Sequence, residues 1–186
     1  MRHHLFAILL LPTLLLTQGV FAQAAKAVPA AKTASGAVAK PAAAPKSVQW
    51  VALEDGVKRA AASGQYVFVT VYTDWCGYCR KLNNTTLKAR PVLDELGKNF
   101  QSVRVNAESE KPVVWKGKTM SEREVAGKAW GVSGYPTMLF MSPKGEIIGS
   151  YSAYADADLM VDLLTYISSG ARERRVSFED FLAGKS

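Results

Sequence analysis

The chain has 186 residues, with two cysteines, two histidines and a formal charge of +7. Most of the charge excess lies in the first 46 residues: residues 47–186 hold 18 basic and 16 acidic side chains, a net +2, which excludes a basic nucleic-acid-binding domain. The cysteines form one Cys–x–x–Cys pair and the histidines are His3 and His4, so a closed zinc site lacks half its ligands, and haem attachment would need a His where Arg80 stands.

In chain order, MRHHLFAILLLPTLLLTQGVFA has a basic start at Arg2, an apolar run Leu5–Leu16 and small residues at Val20 and Ala22. This is the pattern of a signal peptide over residues 1–22, cleaved after Ala22. The apolar run is 12 residues and contains Pro12, short of the roughly 20 that span a bilayer, although an uncleaved anchor is the competing reading. No cysteine lies near the cleavage site, so a lipoprotein anchor is excluded. Export would place both thiols in an oxidising compartment, the periplasm. Residues 23–46 are almost entirely Ala, Pro and Lys and cannot bury a core; they read as a flexible linker.

Residues 47–186 are enough for one domain. Ala52–Ser63 predicts a helix, and YVFVTVYT at Tyr66–Thr73 a buried strand. The segment WCGYC follows at once. Gly77–Lys88 reads as helix, with Pro91 starting or kinking a further helical piece to Lys98. Gln101–Asn106 alternates as a strand does. Pro112–Met120 predicts a small inserted hairpin turning at Lys116–Gly117. Ser121–Glu124 is a capping box opening a helix that ends near Trp130–Gly131. Thr137–Met141 and Glu146–Tyr151 predict two strands joined by a turn at Ser142–Gly145, Asp156–Ser168 an amphipathic helix, and Val176–Ala183 a short final one. The order predicts an α/β fold with a parallel strand pair followed by an antiparallel one.

By elimination, Cys76 and Cys79 read first as a redox couple. A purely structural bridge is the alternative, but a bridge across two residues closes almost no loop and so removes little unfolded-state entropy.

WCGYC at a strand-to-helix junction, followed some sixty residues later by Gly134–Thr137 (GYPT) at the start of a strand, resembles the thioredoxin fold. The stretch VTVYTDWCGYCRKLNNTTL is most similar to exported thioredoxin-like proteins that include the C-terminal domain of the thiol reductase DsbD and the SoxW-type thioredoxins. The resemblance spans about Val51 to Ile167 and implies a central mixed sheet flanked by helices. It implies a thiol-disulfide oxidoreductase whose only redox group is the Cys76–Cys79 disulfide, with no metal or further cofactor. Its partners would be protein thiols and disulfides, with a membrane thiol-electron transporter as donor, and the protein would act as a monomer.

Within that expectation Cys76 attacks, because a helix N-terminus favours the thiolate. Cys79, one turn on and buried, resolves the mixed disulfide. The resemblance makes Pro136 a cis proline and leaves the backbone of Tyr135 to meet an extended substrate, with Trp75, Gly77 and Tyr78 completing the contact surface. A trans proline at a strand start, and plain core packing for Trp75, are the alternatives. Relatives often place an acid six residues before the first Cys, where this chain has Thr70, and the DsbD domain has a carboxylate where this chain has Asn83. Proton transfer from Cys79 then falls to water, Thr70 or Asp74, and strand alternation favours a solvated surface role for Asp74. The expected function is a reductase. An oxidase or isomerase is the alternative, since CGYC resembles the periplasmic disulfide isomerase, and a non-catalytic envelope-tethered binding module is the reading from another class.

Overall fold

A computed structural model describes residues 46–185; the expected signal peptide and all but the last residue of the expected linker lie outside them. The centre is the strand β2 (Tyr66–Tyr72), whose interior is buried on both faces. That is why its sequence reads as a continuous β-branched and aromatic run rather than an alternating one. It pairs in parallel with β3 (Phe100–Asn106), which pairs in parallel with a two-residue edge strand β1 (Trp50–Val51). On its other side β2 pairs antiparallel with β6 (Thr137–Met141), and β6 with β7 (Ile147–Tyr151). The five strands therefore lie in the order β1-β3-β2-β6-β7. The expected mixed sheet is present, and the inserted hairpin forms β4 (Pro112–Trp115) and β5 (Lys118–Ser121), turning at Lys116–Gly117.

Alternation along β2 divides the core. Val67, Val69 and Val71 join Leu53 and Ala60 of α1 (Leu53–Ser63), Val103, Val105, Trp115 of the hairpin and Val125. Phe68 faces the opposite side, where Leu82 of α2 (Gly77–Asn84), Val92 and Leu96 of α3 (Arg90–Asn99) and Met160 and Leu164 of α5 (Ala157–Ser168) collect. Helix α1 lies so close to β3 that a Cβ at Gly56 would stand 2.6 Å from Val103 Cγ2, so only glycine fits there.

Three boundaries differ from expectation. β1 was not foreseen, since two residues carry no periodicity. The helix expected to run to Lys88 stops at Asn84 and resumes as a single 3₁₀ turn, Thr86–Lys88. The change is local: Thr85 N and Oγ1 both donate to Lys81 O (3.0 and 2.8 Å), Thr85 leaves helical geometry at φ −119°, ψ −77°, and Thr86 Oγ1 is tied to Ala155 O (2.7 Å). The capping box at Ser121 and Glu124 is complete and opens α4 (Glu122–Glu124), but the helix continues as a π turn, Val125–Ala129, before Gly131 at φ +67°.

Residues after Ser168 form a cover. α6 (Phe178–Ala183), capped by Ser177, sets Phe178 and Phe181 edgewise against Tyr166, each at 5.3 Å between ring centroids. The Tyr166 hydroxyl donates to Val176 O at 2.7 Å.

Candidate active site

β2 ends at Tyr72, and the chain turns at once: Cys76 N donates to Thr73 O (3.3 Å). Cys76 is the extended N-cap of α2, and its Sγ accepts from Cys79 N at 3.0 Å. The sulfur thus occupies the place an oxygen usually fills at a helix start, and the first turn of α2 holds no acidic side chain. Cys76 and Cys79 are joined in a disulfide with their Cα atoms 5.2 Å apart. Cys79 was expected to differ from Cys76 by being buried; in fact Cys76 is 4% and Cys79 8% exposed. The distinction between the sulfurs lies in the N-cap position of Cys76, where helix N–H groups face it, and not in overall burial.

Aromatic side chains ring the couple. Trp75 and Tyr78 are 65% and 64% exposed, so core packing of Trp75 does not occur. The Trp75 indole N–H donates to Glu108 Oε1 (2.8 Å), and its ring meets that of Tyr135 edge to face at 6.0 Å. On the other flank Tyr78 lies 6.2 Å from Tyr154, over whose ring Lys81 Nζ sits at 4.3 Å. The Tyr154 phenol lies below its ordinary value, chiefly through its polar contacts with the Thr85 hydroxyl (3.3 Å) and with Thr86, with the Lys81 charge adding to them and burial opposing. The Tyr135–Pro136 bond is cis, and Pro136 and Cys79 line the same small cavity. Gly77 is exposed, and a Cβ there would touch only the Arg80 side chain at 3.9 Å, so the fold does not demand glycine at this place.

Of the two cations after Cys79, Lys81 points away as helical geometry predicts. Arg80 does not: its Nη1 donates to Asp74 O at 2.8 Å, folding the guanidinium back over the first turn of α2. Asp74 itself is exposed, with Oδ2 accepting from Asn106 Nδ2 at 3.3 Å, and it does not line the cavity behind Cys79. Thr70 does, and it is buried with its Oγ1 lacking any hydrogen-bond partner among the described residues. Asn83, the position of the relatives' carboxylate, also lines that cavity.

Sequence reasoning missed the residues that hold the site from the side. Parallel pairing places Asn106 beside Tyr72, so the end of β3 reaches the turn that carries WCGYC. Buried Glu122 accepts from Asn106 N (3.2 Å), and the Asn106 Oδ1 accepts from Glu108 N (3.0 Å), which orients the carboxylate that binds Trp75. The only sequence signal was position: Asn106 and Glu108 follow a strand parallel to β2, and loops at the C-terminal ends of parallel strands converge.

Such a couple, capped by a backbone N–H and flanked by exposed rings, has the chemistry for thiol–disulfide exchange. Comparison with known proteins agrees with the geometry. A thioredoxin-like domain family matches residues 53–168. A protein disulfide-isomerase from Hordeum vulgare is 35% identical over 102 residues, 55% of this chain and 17% of that protein, so the chain spans about a sixth of its length. Two solved structures share the fold: a thioredoxin-fold protein from Helicobacter pylori (TM-score 0.58, 19% identity, 65% of this chain and 80% of that one) and a thioredoxin from Thermus thermophilus (TM-score 0.55, 22% identity, 67% and 89%). With a disulfide at a helix start, a cis proline beside it and a family match over most of the described residues, the chain belongs to the thioredoxin-like family.

Proposed function

We propose that the protein is an exported thiol-disulfide oxidoreductase that works as a reductase in the periplasm. It receives electrons from a membrane thiol transporter and passes them to oxidised protein thiols. The observation that supports this direction is the poverty of donors to Cys76 Sγ: among the described residues, one backbone N–H, from Cys79. A strong oxidant depends on a heavily stabilised thiolate in its reduced form. Here Gly77 and Tyr78 are uncharged, and the Arg80 guanidinium is exposed and bonded to Asp74 O, where solvent screens it. The reduction potential is then expected nearer about −270 mV than about −120 mV.

In the reducing cycle the Cys76 thiolate attacks a substrate disulfide, and one substrate sulfur leaves as a thiolate. Cys79 then attacks Cys76 Sγ, which closes the Cys76–Cys79 bond and releases the second substrate thiol. Trp75, Tyr78 and Tyr135 supply the surface on which the substrate segment rests.

The similarity to protein disulfide-isomerase favours a second reading, an oxidase or isomerase. Insulin reduction in dithiothreitol, equilibration with glutathione and thiol trapping in cells separate the two. Turnover with a potential near the thioredoxin value and a couple found reduced in cells supports the reductase. A potential near the oxidant value, with the couple oxidised in cells, overturns it in favour of the second reading. Absence of insulin reduction together with a couple that does not equilibrate with glutathione makes the domain a binding module.

A further inference from the structure

Behind Cys79, on the face of the sheet away from α1, lies a small, partly open cavity of about 10 Å³, room for about one water. Thr70 lines it with its Oγ1 buried and without a partner among the described residues, and a buried hydroxyl left unsatisfied is unfavourable. Arg104 lines it as well. Its Cα is the register partner of Thr70 across β2 and β3, and its guanidinium is held by two rings, 4.3 Å from the centroid of Tyr72 and 5.3 Å from that of Trp50. No carboxylate among the described residues forms an ion pair with it. Of the side chains around the cavity Arg104 is the one permanent charge, Tyr72 is the other titratable group besides Cys79, and Asn83 from α2 and Pro136 ahead of β6 are neutral. Asp74 and Arg80 lie on the exposed side of the WCGYC turn, bonded to Asn106 and to Asp74 O.

We propose that Arg104 and Thr70 form the proton-release station of the resolving cysteine. Arg104 supplies positive charge toward the Cys79 sulfur, and a water held by Thr70 Oγ1 takes its proton. This rests on the exchange chemistry proposed above and holds for either direction of it. In the resolving step the Cys79 thiol gives its proton to the water, and the resulting thiolate attacks Cys76 Sγ. The bond from Cys76 Sγ to the partner sulfur breaks, and the partner leaves as a thiolate that takes a proton from solvent. Two electrons pass from the cysteine pair to the partner disulfide over the cycle. In reverse, Cys79 is the leaving thiolate and Arg104 stabilises it as it forms. The arrangement replaces a buried carboxylate base by a fixed cation: the positive charge favours the product thiolate, and the proton passes to water.

The test is stopped-flow reaction of the reduced protein with Ellman's disulfide across a pH series. The first thionitrobenzoate released reports attack by Cys76, and the second reports resolution by Cys79. Arg104→Met should slow the second phase about ten-fold at neutral pH and move its pH midpoint up by about one unit, with a much smaller effect on the first. Arg104→Lys, which keeps charge and most of the stem, should recover most of the loss. Thr70→Val should slow the second phase without moving its midpoint. A second phase in Arg104→Met that matches wild type, or one that Arg104→Lys fails to rescue while the first phase falls equally, overturns the role of Arg104. An unchanged second phase in Thr70→Val overturns the water path. Absence of a first phase in the wild-type protein is a different failure, that of the exchange reading itself.

Discussion

Helices α4 and α2 open with the same geometry. At α4 the extended residue Ser121 accepts from Glu124 N through Oγ at 3.2 Å, and Glu124 returns the bond to Ser121 N at 3.1 Å. At α2 the extended residue Cys76 accepts from Cys79 N through Sγ at 3.0 Å, and no side chain returns the bond. An oxygen cap with a reciprocating acid satisfies the helix end and leaves it inert. A sulfur cap is a weaker acceptor, and without an acid nearby the helix N–H groups are directed at the one atom whose ionisation matters. The same local device thus serves stability at one helix and reactivity at the other.

The sharpest way to break this comparison is to remove each cap. Cys76→Ala should reduce disulfide exchange to the level of buffer alone, and Cys79→Ala should accumulate mixed disulfides with partner proteins, seen as thiol-sensitive bands on non-reducing gels. The opposite pattern would exchange the two roles. Ser121→Ala should instead cost about 1 kcal/mol, a fall in melting temperature of roughly 2–6 °C, with exchange unaltered. Loss of exchange in that variant at unchanged stability would contradict the division.

Smaller effects sharpen it. Glu108→Ala releases the Trp75 indole, and a roughly three-fold rise in KM for a protein disulfide is expected, with no change for a small-molecule disulfide. Glu124 sits below the ordinary carboxylate range because Lys128 and then the Ser121 N–H bind its charged form. Its contribution is therefore present above that range and lost as pH falls through its folded value. The stability gap between wild type and Glu124→Gln should narrow on acidification, and a gap that is constant with pH would refute this. Tyr154 offers the smallest signal. Thr85→Val should move its phenol titration, followed by ultraviolet absorbance, upward toward the ordinary value.

What could be read from residues alone followed what is local. Asp156 predicted the start of α5, and its carboxylate accepts from Leu159 N as a cap should. YVFVTVYT announced a central strand because both of its faces are buried. WCGYC with GYPT announced the site. By contrast, Arg104 looked like the polar member of an alternating strand, and only its register opposite Thr70 brings it behind Cys79. Glu108 was invisible for the same reason: its bond to Trp75 joins residues 33 apart in sequence. The π turn at Val125–Ala129 left no trace either, since one extra residue in a turn does not disturb a short hydrophobic pattern.

The cover formed by α6 bears on how the domain is cut. The family match ends at residue 168, yet Phe178 and Phe181 lie against Tyr166, and Lys185 pairs with Asp162 at 2.8 Å. A recombinant fragment trimmed to the family boundary would lose these partners together, baring the outer face of α5 and the Tyr166 ring. Such a fragment is expected to keep its disulfide chemistry and to self-associate at concentrations where the longer chain stays dispersed. The eighteen residues after the family boundary would then act as a built-in solubility element, and an expression boundary belongs beyond Lys185 and not at the edge of the recognisable fold.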